Sequence, residues 1–240
     1  MFGNRCKTKF YSKFAQYMQE HNITVITFDY AGIGGSLKTN IKNIKNSVYD
    51  WANNDLDAIL EHCKNTYPNQ KLTLLGHSIG GQLIGLTEKS LTVNKIILVN
   101  AQSGYWGFWT GFQKVKMWLN WNVLFPSLIN VFGYMPSKKI SGMENLPKNV
   151  ANQWKNWCNS KNYLFDFLSY DSLYYDKISC DLFSYSVDDD NYAPQKSVDW
   201  LTSKTMMLIQ LENTFYQKTT NKIALVILGY SERIVKTFFG

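Results

Sequence analysis

Hydrophobic and polar residues alternate along the chain in blocks that predict alternating helices and strands. Residues 10–20 have apolar positions at helical spacing, and residues 23–30 form a β-branched and aromatic run that is typical of a buried strand. The same patterns predict helices over residues 47–67 and 79–86, and strands over residues 71–75, 95–99, 181–187 and 223–228. Strands that alternate with helices predict an α/β fold, with a mostly parallel sheet covered by helices on both faces.

The middle of the chain departs from this alternation. Residues 102–167 hold six of the eight tryptophans and show helical spacing interrupted by Pro126, Pro136 and Pro147. We therefore predict a core formed by residues 1–101 and 168–240, with a helical cap over residues 102–167. Two interpretations of the tryptophans remain open: the cap buries its own core, or it lines an apolar pocket for an acyl group.

Composition narrows the class of protein. A chain of 240 residues with 45% hydrophobic residues can build one complete core. No window approaches 18 consecutive apolar residues, and the first residues lack the apolar run of a signal peptide, so we expect a cytoplasmic protein. The net charge of +7 comes from dispersed lysines, which argues against nucleic-acid binding but is compatible with weak contact to an anionic membrane surface.

The cysteines give no sign of a metal centre or a disulfide framework. Their spacing contains no CxxC pair and matches no zinc pattern, so we expect free thiols, no bound metal and no cofactor. They are Cys6, Cys63, Cys158 and Cys180.

The most specific motif is GHSIGG at residues 76–81. It follows a predicted strand and opens a predicted helix, which is the context in which a GxSxG sequence forms a nucleophile elbow. A serine hydroxyl is a weak nucleophile that needs exposure and a nearby base, and the small residues Gly76 and Gly80 relieve the crowding of such a turn. The motif predicts Ser78 as a catalytic nucleophile and the backbone N–H of Ile79 as an oxyanion donor.

Three aspartates follow the predicted strand 181–187. A charged cluster after a strand is usually a solvated loop, but in serine triads on α/β sheets the acid lies in a strand-end loop of this kind. Asp190 is our first candidate for that acid, and Asp189 is the second.

No histidine stands where a triad requires its base. The order along the chain in such triads is serine, acid, histidine, whereas the three histidines here are His21, His62 and His77, none of them after Ser78. We expect the His77 side chain to point away from the position of a base, and His21 and His62 to lie at helix ends facing water.

Several segments together resemble a group of predicted bacterial α/β-hydrolases related to serine aminopeptidases and monoacylglycerol-lipase-like hydrolases. They include FDYAGIGGS at residues 28–36, GHSIGGQLIGL at 76–86, QSGYW at 102–106 and GYMP at 133–136. The resemblance covers about residues 8–200. It implies an α/β-hydrolase fold and supports Ser78 and Asp190 as triad members, but it gives no substrate.

The chain departs from this group at both ends. The group carries a Gly-His-Phe-Gly-like motif after its last strand, where this chain has GYSE at residues 229–232, so Tyr230 takes the position of the lost histidine. A tyrosine does not accept the proton of serine near neutral pH as imidazole does. The abrupt ends of the resemblance fit a truncated gene or an altered reading frame.

A strand that the group has before residue 8 is expected to be missing. In the group this strand lies between the strands 23–30 and 71–75, so the resemblance implies an empty central position in the sheet. The two neighbours would then have unpaired backbone groups or pair directly in a shifted register. The loop after that strand also supplies the second oxyanion donor, and only residues 3–7 could replace it.

The sequence thus leaves two hypotheses. The first is a serine hydrolase that acts on an ester, thioester or small amide bond of a small-molecule substrate with an apolar acyl group. The second is a catalytically disabled or truncated homologue, because no histidine follows Ser78. The oligomeric state is not predicted.

Overall fold

Five parallel strands form the central sheet of the protein. The computed structural model describes residues 11–188, 190–205 and 223–228. The strands in chain order are β1 (Ile23–Thr27), β2 (Lys71–His77), β3 (Lys95–Val99), β4 (Tyr134–Met135), β5 (Leu146–Pro147), β6 (Asp181–Tyr185) and β7 (Ile223–Leu228). The order in the sheet is β1-β7-β2-β3-β6, whereas β4 and β5 form a separate antiparallel pair.

Helices follow the strands as the sequence predicts. They are α1 (Ser12–Glu20), α2 (Val48–Asp50), α3 (Asp57–Thr66), α4 (Ile79–Leu83), α5 (Gly111–Leu119), α6 (Phe125–Phe132), α7 (Ser137–Ile140), α8 (Lys148–Cys158) and α9 (Gln195–Thr202). A π-helical segment, Trp51–Leu56, joins α2 to α3 and makes them one long helix. None of the helices within the described ranges combines the length and the apolar character needed to cross a lipid bilayer.

Alternating side chains of the strands bury both faces of the sheet. Leu74 of β2 and Val226 of β7 belong to the main core with residues of α3 and α4. Leu75 and Ile227, one position further along each strand, pack instead against Tyr11 and α1. The two-residue period of a strand places these neighbours on opposite faces. The predicted parallel sheet with helices on both faces is therefore confirmed.

The central position of the sheet is filled by β7. Its residues pair in parallel with β1 on one side and with β2 on the other, and Leu225 is opposite both Val25 and Thr73. The expectation of an empty position, or of direct pairing between β1 and β2, is wrong. Unpaired backbone groups in a sheet interior are costly, and the apolar sequence of β7 suits a strand that is buried on both faces.

The segment 102–167 is mostly helical, as predicted, but it also contains strand pairing. A left-handed Gly133 (φ 77) ends α6 and leads into β4, which pairs with β5. A two-residue ladder thus interrupts the helices of this segment. The reversal after Gly133 brings residues 134–135 beside residues 146–147, where their backbone groups satisfy each other.

The cap and the remaining core share one apolar interior. Trp51 from the core and Trp121, Trp154 and Trp157 from the cap belong to the same buried cluster. Polar contacts add to this junction: Tyr49 N–H donates to Gln153 Oε1 at 2.9 Å, and Asn149 Nδ2 donates to the Lys45 carbonyl at 2.7 Å. Most cap tryptophans therefore pack in this shared core. The division into domains at residues 101 and 168 stays a prediction.

Candidate active site

Ser78 occupies a strained turn between β2 and α4. Its backbone has φ 50° and ψ −121°, a conformation that a residue with a Cβ adopts at a cost of about 1–3 kcal/mol. Hydrogen bonds hold this conformation: Ser78 N–H donates to the Val99 carbonyl at 2.9 Å, and Gly81 N–H donates to the Ser78 carbonyl at 3.0 Å. Ser78 is only half-buried, although its neighbours His77 and Ile79 are buried. The turn thus presents one hydroxyl at the carboxyl end of β2.

The turn is tight because two glycines meet beneath it. A Cβ on Gly76 would lie 2.5 Å from the Cα of Gly81, and a Cβ on Gly81 would lie 2.4 Å from the Cβ of Ala101. Neither contact leaves room for a methyl group. The sequence predicted Gly76 and Gly80 as the residues that relieve crowding, whereas the close approach involves Gly76 and Gly81.

Ile79 begins α4 directly after Ser78. The first N–H groups of a helix have no carbonyl acceptor within the helix, so the Ile79 N–H is available beside the hydroxyl of Ser78. The Ile79 side chain is buried in the main core, which fixes the orientation of this peptide. The arrangement suits one oxyanion donor, and this role remains a prediction.

Asp190 lies at the same carboxyl edge of the sheet, in the loop after β6. Its Oδ2 accepts a hydrogen bond from Asn100 Nδ2 at 2.7 Å, and its Oδ1 accepts one from the Tyr192 N–H at 2.8 Å. Both carboxylate oxygens are thus held in place. The second candidate, Asp189, lies outside the described residues.

Asn100 links the ends of the three neighbouring strands. It directly follows β3, with φ 46°, and its N–H donates to the Tyr185 carbonyl at the end of β6. Its side-chain Oδ1 accepts from the Val187 N–H at 2.9 Å while its Nδ2 donates to Asp190. The residue before Asn100 is Val99, whose carbonyl accepts the hydrogen bond from the Ser78 N–H. Asn100 therefore connects the serine turn to Asp190. Sequence reasoning missed Asn100, although a polar residue directly after a buried strand was an available signal.

The three histidines of the chain all lie within the described ranges. His77 Nδ1 is 2.8 Å from Tyr11 Oη on the α1 face of the sheet, where burial lowers the histidine pKa to about 4. His21 Nδ1 bonds the Tyr17 carbonyl at the exposed end of α1, and His62 is exposed on α3. Tyr230, the position of the expected histidine, lies outside the described residues, as do residues 3–7.

A buried polar network lies behind the serine turn. Tyr163 Oη donates to Gln82 Oε1 at 2.5 Å and accepts from Trp154 Nε1 at 2.9 Å. Gln82 Nε2 also donates to Gln102 Oε1 at 3.4 Å. The network joins α4, which carries Gln82, to the cap, and it was not predicted because its partners are far apart in the sequence.

Within the described parts of the chain, no three His, Cys, Asp or Glu side chains come close enough together to hold a metal ion. The groups of this site to which the sequence assigns roles are the hydroxyl of Ser78, the N–H of Ile79 and the carboxylate of Asp190.

A parallel sheet with a strained serine between strand and helix defines an α/β-hydrolase. The chain belongs to the serine aminopeptidase S33 family, which matches residues 3–236. The predicted resemblance to hydrolases of this kind is confirmed, and it extends further toward both ends than the predicted range of about 8–200.

No curated protein sequence matches the chain. Among solved structures, the chain is similar to one described as "Est816 as an N-Acyl homoserine lactone degrading enzyme", with 14% identity and a TM-score of 0.42. That similarity covers 83% of this chain and 72% of the other.

Proposed function

We propose that this hydrolase uses Ser78 as the nucleophile that attacks an ester, thioester or small amide bond. The observation that carries the proposal is the strained backbone of Ser78, which the Gly76–Gly81 contact accommodates. Strain of this kind persists only where the surroundings enforce it, and it concentrates at functional sites.

The proposed reaction follows from the atoms around Ser78. Its Oγ bonds to the carbonyl carbon of the substrate, and the negative charge that develops on the carbonyl oxygen is stabilised by the Ile79 N–H. The Oγ proton passes to a base or to water, the bond between the carbonyl carbon and the leaving group breaks, and the leaving group takes up a proton. Water then attacks the acyl-serine, which releases the carboxylic acid and restores the Ser78 hydroxyl. Asp190, fixed by Asn100, would orient such a base from the neighbouring strand ends.

We propose a small-molecule substrate with an apolar acyl group. The cap begins after β3, at the edge of the sheet that carries Ser78, and its side chains are largely apolar and aromatic. The dispersed positive charge gives no support for a nucleic-acid ligand, and it supports at most weak contact with an anionic membrane surface.

A second candidate function is a catalytically disabled homologue that retains the fold. One observation favours it: His77 faces away from Ser78, and His21 and His62 are exposed elsewhere. Without a base, a serine site has only binding and oxyanion contacts, which leave about 10³–10⁴-fold acceleration over water. We therefore expect low turnover.

The experiment that separates the two candidates compares the purified chain with Ser78→Ala. Short p-nitrophenyl esters are hydrolysed in the steady state, and a fluorophosphonate probe is used to label an activated serine. We expect slow turnover and slow labelling that both disappear in Ser78→Ala. Equal rates for the two proteins would identify the disabled homologue, whereas fast Ser78-dependent turnover would show that another group acts as the base.

The unpaired state of the described cysteines is compatible with a reducing compartment. Cys63, Cys158 and Cys180 are free thiols, and burial raises the pKa of Cys63 to about 11, which keeps it protonated and unreactive. Free thiols are usual in a reducing compartment, and we propose the cytoplasm. Cys6 lies outside the described residues.

A further inference from the structure

The outer surface of α5 and α6 is unusually apolar. Of the large apolar side chains that the structure shows to be exposed, nine of fourteen lie between residues 111 and 140. Phe112 is 80% exposed and Val131 is 76% exposed. Scattered exposed apolar residues are normal, but a concentration of them marks an interaction site.

The π-helical segment Asn120–Leu124 joins α5 to α6 in one continuous helix. The exposed side chains form a second apolar stripe on this helix. Met117, Trp121, Phe125 and Ile129 recur every four residues and are buried in the main core. The exposed side chains of Phe112, Val115, Leu119 and Val123 recur every three or four residues on the other side. A surface helix of a globular protein normally has one apolar stripe and a polar outer face. Packing within the chain therefore explains the first stripe only.

The segment that forms this stripe carries charges of one sign. Residues 101–143 contain no aspartate or glutamate, and their charged side chains are Lys114, Lys116, Lys138 and Lys139. Lys138 is paired with Glu144 at 3.2 Å, whereas Lys114 and Lys116 are exposed on α5 between the apolar residues. We call the exposed apolar side chains of residues 111–132, together with these two lysines, the cap face.

We propose that the cap face docks on the surface of an anionic lipid bilayer. The apolar stripe would enter the boundary between headgroups and acyl chains, while Lys114 and Lys116 contact anionic headgroups. Amphipathic helices that lie in a membrane surface combine these two features. This inference concerns a partner of the cap and does not depend on the catalytic activity of Ser78.

The charge pattern favours a bilayer over a second copy of the chain. A symmetric dimer interface brings the same surface of two copies together. Contact through the cap face would bring Lys114 and Lys116 of both copies into one interface, with no acidic side chain in residues 101–143 to neutralise them. An anionic bilayer instead supplies the opposite charge.

The test is co-sedimentation of the purified chain with phosphatidylcholine vesicles, with and without phosphatidylglycerol, at low and high salt. We expect binding to the anionic vesicles only, and release by salt. Lys114→Glu with Lys116→Glu should lower the partition coefficient by at least about fivefold for each lysine removed. Val115→Ser with Leu119→Ser should also release the chain, and because both side chains are exposed the fold should persist, as circular dichroism will show.

Matched controls lie elsewhere on the surface. Lys64→Glu with Lys71→Glu removes the same charge from an exposed part of the core, and Phe167→Ser removes an exposed aromatic ring outside the cap face. Both controls, and Ser78→Ala, should bind the vesicles nearly as well as the wild type. The proposal is overturned by an absence of vesicle binding, by equal loss in the controls, or by a dimer in solution that Val115→Ser with Leu119→Ser dissociates.

Discussion

At the scale of single residues, the strained backbone conformation of Ser78 determines how its hydroxyl is presented. Its positive φ is compatible with a hydrogen bond to Val99 on one side and with the Gly76–Gly81 contact on the other. A side chain at either glycine would push β2 away from α4, and the turn would relax. The reactivity proposed for Ser78 thus depends on residues that make no contact with a substrate.

Gly76→Ala tests this dependence. The added methyl group would lie 2.5 Å from a backbone atom of Gly81, which cannot move aside as a side chain can. We expect a loss of roughly 1–3 kcal/mol in the free energy of unfolding, together with slower fluorophosphonate labelling of Ser78.

Gly111→Ala is the matched control for that substitution. Its added methyl group meets nothing within 4 Å, and only the left-handed backbone (φ +53) opposes it. We expect a loss of about 1 kcal/mol and unchanged labelling. A Gly76→Ala protein as stable and as readily labelled as the wild type would contradict the role of the glycine contact.

His77 gives the protein a pH-dependent stability. Burial lowers its pKa from 6.5 to about 4, so the unfolded chain binds a proton between these values while the folded chain does not. We expect the contribution of His77 to the free energy of unfolding to be complete above pH 6.5 and to fall as the pH drops toward 4, by roughly 3 kcal/mol in total. Urea unfolding at a series of pH values in this window measures the loss.

Substitutions of single histidines identify the residue that causes this pH dependence of stability. His77→Gln should flatten the dependence of the unfolding free energy on pH across the window, even if the variant is less stable at neutral pH. His62→Gln changes an exposed histidine and should retain the wild-type dependence. If His77→Gln leaves the slope unchanged, the protonation of another group is responsible.

The site residues that could be predicted from the sequence are those that a short local motif identifies. The motif around Ser78 and Ile79 is contiguous, and Asp190 follows a strand, so both could be placed at strand ends from the sequence alone. Asn100 could not be recognised, because its importance comes from Asp190 and Val187, which are some 90 positions away. Gly81 was overlooked in favour of Gly80 because the contact depends on how the helix turns against β2.

At the scale of elements, β7 explains how the sheet is completed. The apolar pattern of residues 223–228 predicted a strand, and that prediction is confirmed. The pattern contains no information about which strands lie beside it, because an apolar strand can pair with any other. The sequence therefore predicted the strands correctly but left a gap at the centre that β7 fills.

Val226→Pro tests the position of β7. Proline removes a backbone N–H from the ladder and is not tolerated inside a sheet. Here the strand has a partner on each side. We expect the variant to be largely unfolded by circular dichroism. Val226→Ala keeps the N–H and loses only buried methyl groups, so it should fold and be less stable by about 2 kcal/mol. Equal stability of the two variants would show that β7 does not pair on both sides.

At the scale of the whole molecule, the sheet order separates β7 from the proposed acid. Ser78 follows β2, Asp190 follows β6 on one side of it, and β7 lies on the other side. Leu228, the last residue of β7, pairs with Gly76 on the side of β2 away from β6. A histidine placed soon after β7 would therefore start from the wrong side of Ser78 to be oriented by Asp190.

Tyr230→His tests this arrangement. We expect the substitution alone to raise Ser78-dependent ester hydrolysis only slightly, because an imidazole must contact both the serine and the acid to act as the triad base. The double variant Tyr230→His with Asp190→Asn should then have the same activity as Tyr230→His. A large gain in turnover that Asp190→Asn abolishes would show that the chain after β7 does reach Asp190.

The central place of β7 also has a consequence for synthesis on the ribosome. Ile23 of β1 pairs with Ile223, two hundred positions later in the chain. At roughly 5–20 residues per second, β1 emerges some tens of seconds before its partner exists. Throughout that interval the edges of β1 and β2 are open to other nascent chains and to chaperones. The abundance of this protein in a cell should thus depend on what protects those two strands during translation.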